Sequence, residues 1–441
     1  MKILILDPYK KVDYRISKDT SGGYGTGNNF GSSIVPRILK VLLKKRSHWP
    51  PLFAAYTFSV LKEKQHDVQY SEVLPNDFSS FDFFIVVSSI VCCETELDKI
   101  KILKKNDKKV FVIGPFATNN HKLYSDQGAS VIIGEPEFYF KKFDNYKEDL
   151  QKKVVAFSHN ISLDELPFPN WSEMINNFNG FDKLFGNLKS VPIIATRGCP
   201  YSCSEYCVYP LQQGKQIRQR SIKNILDEIE YWQNNHNIRM FIFRDPVFSI
   251  NRKHTMALCE ELIKRNLNIK FAIETHLRIL DSELLSLLIK AGLKATIVGV
   301  EGADTTLLQN EKRFTVTVDK QEEKIKELQS KKIQVSAMYI IGFPSDNEQS
   351  INNTINYAKK LNTTYAQFSI WTPYPGTPVY QEYKDKITSE RFDNFDQYHL
   401  VFNHKLFNKN KMRDLLSKAY TKYYLRLNWI FKYCNSFITS K

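Results

Sequence analysis

The chain has 441 residues, enough for two or three domains, and 42% are hydrophobic, which excludes global disorder. Lys and Arg outnumber Asp and Glu 62 to 47, a net charge of +15. That suits an anionic partner or a solvated, lysine-rich surface, and charge alone does not choose. Seven cysteines with three clustered exclude a disulfide framework, and no apolar run reaches the ~18–20 residues of a membrane-spanning helix.

The first residues hold too short an apolar run for a signal peptide and read as a strand over 2–6 ending in an acidic loop. A polar, glycine-rich loop follows at 21–31. It lies too far from the first strand for a dinucleotide fingerprint and reads as a mobile cover over a ligand. Pro50 and Pro51 open a helix over 53–64, where proline suits the first turn. Strands are predicted at 66–71, at the nearly all-apolar 83–89, at 109–115 and at 129–133, with a helix over 94–105. This alternation makes residues 1–145 a doubly wound, Rossmann-like unit. Cys92 and Cys93 read as small buried residues.

Residues 146–190 form a connector, kept extended by Pro167 and Pro169. From 191 to 380 the alternation of strand and helix resumes. Strands at 191–196, 239–243, 269–274, 295–300, 334–340 and 365–370 make an incomplete parallel barrel, with function gathered at the carboxyl ends. Polar residues stand where these strands stop: Asp245, Glu274, then His276 and Arg278, and Glu301. Beyond 381 the texture changes. Residues 411–431 space Leu415, Leu416, Ala419, Tyr423, Leu425 and Leu427 as one helix with basic residues between. A cap packed on the barrel is the plain reading. A basic amphipathic helix touching a membrane or an acidic partner is the sharper one. His399 and His404 read as surface histidines, and Cys259 and Cys434 as structural.

The loop after the first barrel strand, Thr196-Arg197-Gly198-Cys199-Pro200-Tyr201-Ser202-Cys203-Ser204-Glu205-Tyr206-Cys207, carries the chemistry. Three thiols are an odd number for structural zinc, which usually takes four protein ligands. They suit a cubane iron–sulfur cluster with one iron open. A zinc-stabilised nucleic-acid-binding protein is the alternative from another class.

This loop resembles the signature of the radical S-adenosylmethionine (radical SAM) enzymes, CxxxCxxC with an aromatic before the third cysteine. Cys199, Cys203 and Tyr206 match it. The second gap is one residue longer, which leaves the path of Ser204 and Glu205 open. The resemblance implies a [4Fe-4S] cluster on Cys199, Cys203 and Cys207. S-adenosylmethionine would chelate the open iron, and its reductive cleavage would release a 5′-deoxyadenosyl radical. It implies Asp245 beside the methionine moiety, and Glu274 and Arg278 at the amino acid portion or the ribose. It also implies Glu301 at the end of strand four, Gly342 where backbone approaches adenine, and Tyr206 packed on that ring.

The N-terminal unit resembles the cobalamin-binding domain of one large radical SAM subgroup. The likeness rests on Pro50-Pro51-Leu52, Val87-Ser88-Ser89, Gly114-Pro115 and Gly134-Glu135-Pro136-Glu137. It implies cobalamin contacts at Ser88, Ser89, Gly114, Pro115, Gly134 and Glu135. The DxHxxG element that supplies a histidine to cobalt is missing, as in many members of the subgroup.

The resemblance therefore implies an α/β chain: a Rossmann-like cobalamin-binding domain (1–145), a connector (146–190), a partial (β/α)6 TIM-type barrel (191–380) and a C-terminal helical extension (381–441). The implied activity is cobalamin-dependent C-methylation in the cytoplasm. The substrate would be a small molecule, lipid, sugar or peptide, and the electron donor a flavodoxin or ferredoxin. No stable nucleic acid is expected, and any membrane contact would run through the C-terminal helix. Radical rearrangement or oxidation without cobalamin, over a degenerate N-terminal domain, is the enzymatic alternative.

Overall fold

Two six-stranded parallel sheets face each other in the computed structural model, which describes residues 1–44, 49–158, 161–175, 188–201, 203–310 and 316–431. The first sheet holds β1 (Lys2–Leu6), β2 (Asp67–Ser71), β3 (Phe83–Val87), β4 (Val110–Ile113), β5 (Ser130–Ile132) and β6 (Val154–Val155). Its order is β2-β1-β3-β4-β5-β6, with every pairing parallel. The direction of winding reverses between β1 and β3, which makes that gap the topological switch point. Strand β6 pairs Val154 with Val131 and Val155 with Ile132. The sheet thus reaches into the stretch expected to be connector, because two further apolar residues complete its edge.

Strand β3, Phe83-Phe84-Ile85-Val86-Val87, is buried throughout. Its side chains still alternate. Phe83, Ile85 and Val87 join one core with Phe53, Phe58 and Leu61 of the helix Leu52–Glu63. Phe84 and Val86 join a second core with Ile100 and Leu103 of the helix Cys93–Lys105. An apolar strand covered on both faces is what a central parallel strand requires. Cys92 and Cys93 are buried in the second core.

The second sheet runs β7 (Ser190–Ile193), β10 (Met240–Phe243), β11 (Lys270–Thr275), β12 (Leu293–Glu301), β13 (Gln334–Ile341) and β14 (Tyr365–Ile370), in that order and all parallel. Between β7 and β10, β8 (Thr196–Arg197) and β9 (Arg218–Gln219) form an antiparallel ribbon. In β13, Val335, Ala337, Tyr339 and Ile341 are buried, while Gln334, Ser336, Met338 and Ile340 are half-buried. The buried set packs with Phe368 and the C-terminal tyrosines, which leaves the other face toward the barrel interior.

The C-terminal helix spans Lys409–Tyr424, and after a break at 425–426 the chain is helical again to the predicted 431. Its apolar residues Met412, Leu415, Leu416, Ala419, Tyr420 and Tyr423 are buried. Tyr420 Oη accepts from Phe368 N (3.0 Å) and donates to Phe368 O (3.0 Å). Tyr424 Oη does the same for Ala366 N (3.1 Å) and O (2.9 Å). These residues lie on β14, the edge strand, so hydroxyls one helical turn apart satisfy a sheet edge. Leu415, Leu416, Ala419 and Tyr423 pack inward as a cap does, whereas Leu425 and Leu427 of the same predicted stretch are exposed. His404 is also buried, not superficial, with Nε2 2.9 Å from Phe343 O. Cys259 is buried. Cys434 lies outside the described residues. No described helix is long and apolar enough to cross a membrane.

Candidate active site at the facing strand ends

The cysteine loop leaves β7 through Ile194 and Ala195, and its base is held from several sides. Asp245, just past β10, is fully buried. Its carboxylate accepts from Ala195 N (3.1 Å), Thr196 N and Thr196 Oγ1 (2.7 Å). Burial pushes its pKa up to about 6, against these hydrogen bonds, which favour the charged form. Arg220 donates to Ile194 O (2.9 Å) and pairs with Glu228 (2.5 Å). Gly198 has φ +94°, and a Cβ there would stand 1.9 Å from Gln216 O, so no other residue fits. Cys199 N donates to Gly214 O (3.0 Å), closing the loop.

Inside the loop, Cys203–Glu205 forms a 3₁₀ turn, and Glu205 takes the left-handed conformation with φ +57°. The extra residue of the second gap is absorbed in this turn. Cys199 is buried, and Cys203 and Cys207 are half-buried. Burial pushes the Cys199 thiol up to about 11, with Cys203 and Glu274 adding to it. Among the described residues no three His, Cys, Asp or Glu side chains converge as they would on a single metal ion. A cubane is held otherwise, each thiolate on a different iron, so three thiols spread along one loop fit its donor set.

Polar groups from the second sheet approach this loop. Glu274, at the end of β11, accepts from Tyr209 Oη (3.4 Å), and burial raises its pKa while Arg244 pulls it down. Arg244 pairs with Asp19 of the N-terminal loop (2.9 Å) and donates to its carbonyl (2.7 Å). The rings of Tyr201 and His276 lie 6.3 Å apart, and the nearby Arg278 charge opposes the rise in the Tyr201 pKa. Arg278 is exposed, and Tyr206 is half-buried against the core. Glu301 ends β12 in the left-handed region, φ +67°, after an irregularity in the register. It is buried, and its carboxylate lies over Gly299.

Two expected contacts are placed differently. Asp245 is enclosed by backbone, and its neighbour Arg244 faces the crevice. Gly342 has φ +76°, and a Cβ there would stand 2.7 Å from Met412 Cε, so the C-terminal helix fills that space.

The carboxyl ends of the first sheet face the loop. At the switch point, the fully buried Lys18 pairs with Asp7 (2.9 Å) and Glu96 (2.8 Å) and donates to Val87 O (3.0 Å). Ser88 and Ser89 are buried beside it. Ser88 Oγ accepts from Ala117 N (3.1 Å), and Ser89 Oγ donates to Glu96 (2.8 Å), so these two shape the turn and do not line an opening. The opening lies further along the sheet. A small crevice is lined by Leu52, Phe53, Pro115, Gly134, Glu135 and Arg197, among others. A second is lined by Asp19, Gly22, Pro51, Tyr209 and Arg244 and shares Leu52, Phe53 and Gln213 with the first. Gly134, φ +93°, meets nothing within 4 Å in the direction of a Cβ, whereas Gly114 packs on Ser88 and Phe53. The apolar side of this wall, Leu52, Phe53, Pro115 and Ile194, would suit the face of a corrin, and Glu135, Arg197 and Gln213 would meet its polar side chains.

Arg197, directly before Gly198, reaches across to the first sheet. Its guanidinium pairs with Glu135 (2.6 Å) and Glu137 and lies over the rings of Tyr56 (5.1 Å) and Phe138 (5.6 Å). Arg218 adds a pair to Glu135 (2.7 Å). Burial opposes the Glu135 charge, but the two arginines hold its carboxyl below the usual range. Arg197, Arg244, Asp19, Tyr209 and Gln213 escaped sequence reasoning. The only trace was that both arginines adjoin residues already singled out.

Three comparisons bear on this arrangement. A family model described as the radical SAM superfamily matches residues 193–358. A bacteriochlorophyllide d C-12(1)-methyltransferase of Chlorobaculum tepidum is 26% identical, covering 83% of this chain and 81% of its own. An uncharacterized methyltransferase of Pyrococcus horikoshii is 25% identical, covering 86% and 88%. Among solved structures, the radical S-adenosylmethionine methyltransferase TsrM of Kitasatospora setae, with cobalamin and a [4Fe-4S] cluster bound, superposes with a TM-score of 0.61. It is 16% identical over 87% of this chain and 78% of that one, a likeness of fold.

Proposed function

We propose, from the radical SAM match over residues 193–358 and the Rossmann-like unit that precedes it, that the chain is a radical SAM enzyme and a cobalamin-dependent methyltransferase acting on an unactivated carbon. One observation carries the reading: a three-thiol loop at the end of the first barrel strand opens onto a crevice whose far wall is the carboxyl edge of a Rossmann-like sheet. When bound, the [4Fe-4S] cluster and S-adenosylmethionine supply a carbon-centred radical, and cobalamin supplies the methyl group.

The protein's own residues position these parts. Cys199, Cys203 and Cys207 hold the cluster. Asp245 and Arg220 fix the backbone that enters the loop. Glu274, with Arg244 and Tyr209 beside it, and Glu301 at the barrel mouth offer carboxylates to an amine or a hydroxyl of S-adenosylmethionine. Arg278 supplies a cation at the rim. Pro115 and Gly134 bound the corrin space, and Glu135 braces it through Arg197. In this reading residues 1 to about 155 form the cobalamin unit and the second sheet the radical barrel, with the C-terminal helix closing its edge. The half-buried side chains of β13 and β14, among them Ser336, Gln367 and Ser369, offer hydrogen-bonding groups to a small-molecule substrate. The methyltransferase names of both curated relatives favour methylation over rearrangement.

The test is anaerobic purification with iron and sulfide, followed by an ultraviolet–visible spectrum and assay of 5′-deoxyadenosine or methyl transfer. Cluster and corrin absorption should appear together, and Cys203→Ala should abolish S-adenosylmethionine cleavage. Cleavage retained in that variant overturns the ligand assignment.

A further inference from the structure

The helix Ile34–Lys44 is apolar on two faces. One packs inward, with Leu39 and Leu43 against the core. The other carries Ile34, Ile38, Val41 and Leu42, each more than half exposed. Their spacing, i, i+4, i+7 and i+8, draws one continuous stripe along the helix. Single exposed apolar residues are ordinary on a protein surface, but a contiguous stripe marks an interaction site.

A second segment lies beside this helix. Ser32 N donates to Ser417 Oγ (2.8 Å), and the Ser33 and Thr421 hydroxyls are 3.0 Å apart. One turn past Thr421 the C-terminal helix ends, and Leu425, Leu427 and Phe431 are each about two-thirds exposed. Seven exposed large hydrophobic residues therefore gather in two neighbouring segments.

The charge around them is one-sided. No Asp or Glu occurs from residue 20 to 62, or from 415 to 441, in a chain with 47 acidic residues. Arg37 sits within the stripe, exposed, and Lys422 is exposed beside the second segment. The one buried lysine of the helix, Lys40, is paired inward with Asp13 (3.3 Å) and Asn29 (3.4 Å). An apolar stripe edged by cations, with no carboxylate of its own and Asp13 paired to Lys40 beside it, matches the interface of an anionic bilayer, where apolar side chains enter the acyl boundary and cations meet the headgroups.

We propose that the helix Ile34–Lys44, flanked by Leu425, Leu427 and Phe431, docks this protein on the surface of an anionic membrane. The surface is separate from the cysteine loop and independent of the reaction proposed above.

The experiment uses the full chain, purified anaerobically, in flotation assays with vesicles of phosphatidylcholine alone or mixed with phosphatidylglycerol. Binding to anionic vesicles should exceed binding to neutral ones by roughly tenfold or more and fall as salt rises. Ile38→Glu and Arg37→Glu should each weaken it by roughly tenfold, with S-adenosylmethionine cleavage unchanged. Absence of binding, or equal binding by Ile38→Glu, overturns the proposal. So does a dimer in light scattering that Ile38→Glu converts to monomer without any vesicle binding, which assigns the stripe to a second copy of the chain.

Discussion

Asp245 gives its carboxylate to the backbone N–H groups of Ala195 and Thr196, four and three residues ahead of the first cysteine. Burial lifts its pKa from 3.8 to about 6 in the fold. The folded state therefore holds the proton more tightly than the unfolded chain, and this contribution to stability is full below pH 4 and lost as pH rises through 6. The difference in unfolding free energy between wild type and Asp245→Asn should move against the wild type by about 3 kcal/mol across that window, as read from urea titrations. Glu205 poses a conformational test. At φ +57° a side chain costs roughly 1–2 kcal/mol, so Glu205→Gly should retain cluster iron after anaerobic reconstitution. The β-branched Glu205→Val should lose it. The sequence announced a polar residue at the end of β10 but not which of two neighbours faces the crevice. Successive side chains leave a strand on opposite sides, and a shift of one residue in its end exchanges Arg244 for Asp245.

The C-terminal helix closes an edge by chemistry and by packing. Tyr420 and Tyr424 each take both backbone groups of one β14 residue, Phe368 and Ala366. Tyr420→Phe leaves those groups buried without partners and should cost about 1–3 kcal/mol in urea unfolding. Tyr424 is half-exposed, water can replace its hydroxyl, and Tyr424→Phe should cost less than about 1 kcal/mol. The helical spacing of Leu415, Leu416, Ala419 and Tyr423 was legible because a 3.6-residue period survives in any context. The pairing of hydroxyls with a strand edge was not, since it depends on which strand is left open. The same holds for Gly342, whose missing side chain makes way for Met412 of this helix.

Across the whole molecule, ion pairs join the two sheets beside the cysteine loop. Arg197 meets Glu135 and Glu137, Arg244 meets Asp19, and Tyr24 Oη donates to Pro375 O (2.8 Å) at the barrel's far end. Arg197→Ala strands the buried Glu137 carboxylate and should destabilise the protein by about 3–5 kcal/mol in denaturant unfolding, whereas Arg197→Lys should recover part of that. Both sheets, their parallel strands and the loop that carries the thiols were readable from the chain alone. Hydrophobic periodicity and the spacing of three cysteines are local properties, written over a few residues and insensitive to what packs around them. The closure of the switch point by Lys18, the displacement of the open crevice to Gly134 and Pro115, and the bracing of the loop by Arg197 emerged only in three dimensions. Each joins residues tens of positions apart, and a buried charge finds its partner by position in space, which the order of residues does not encode.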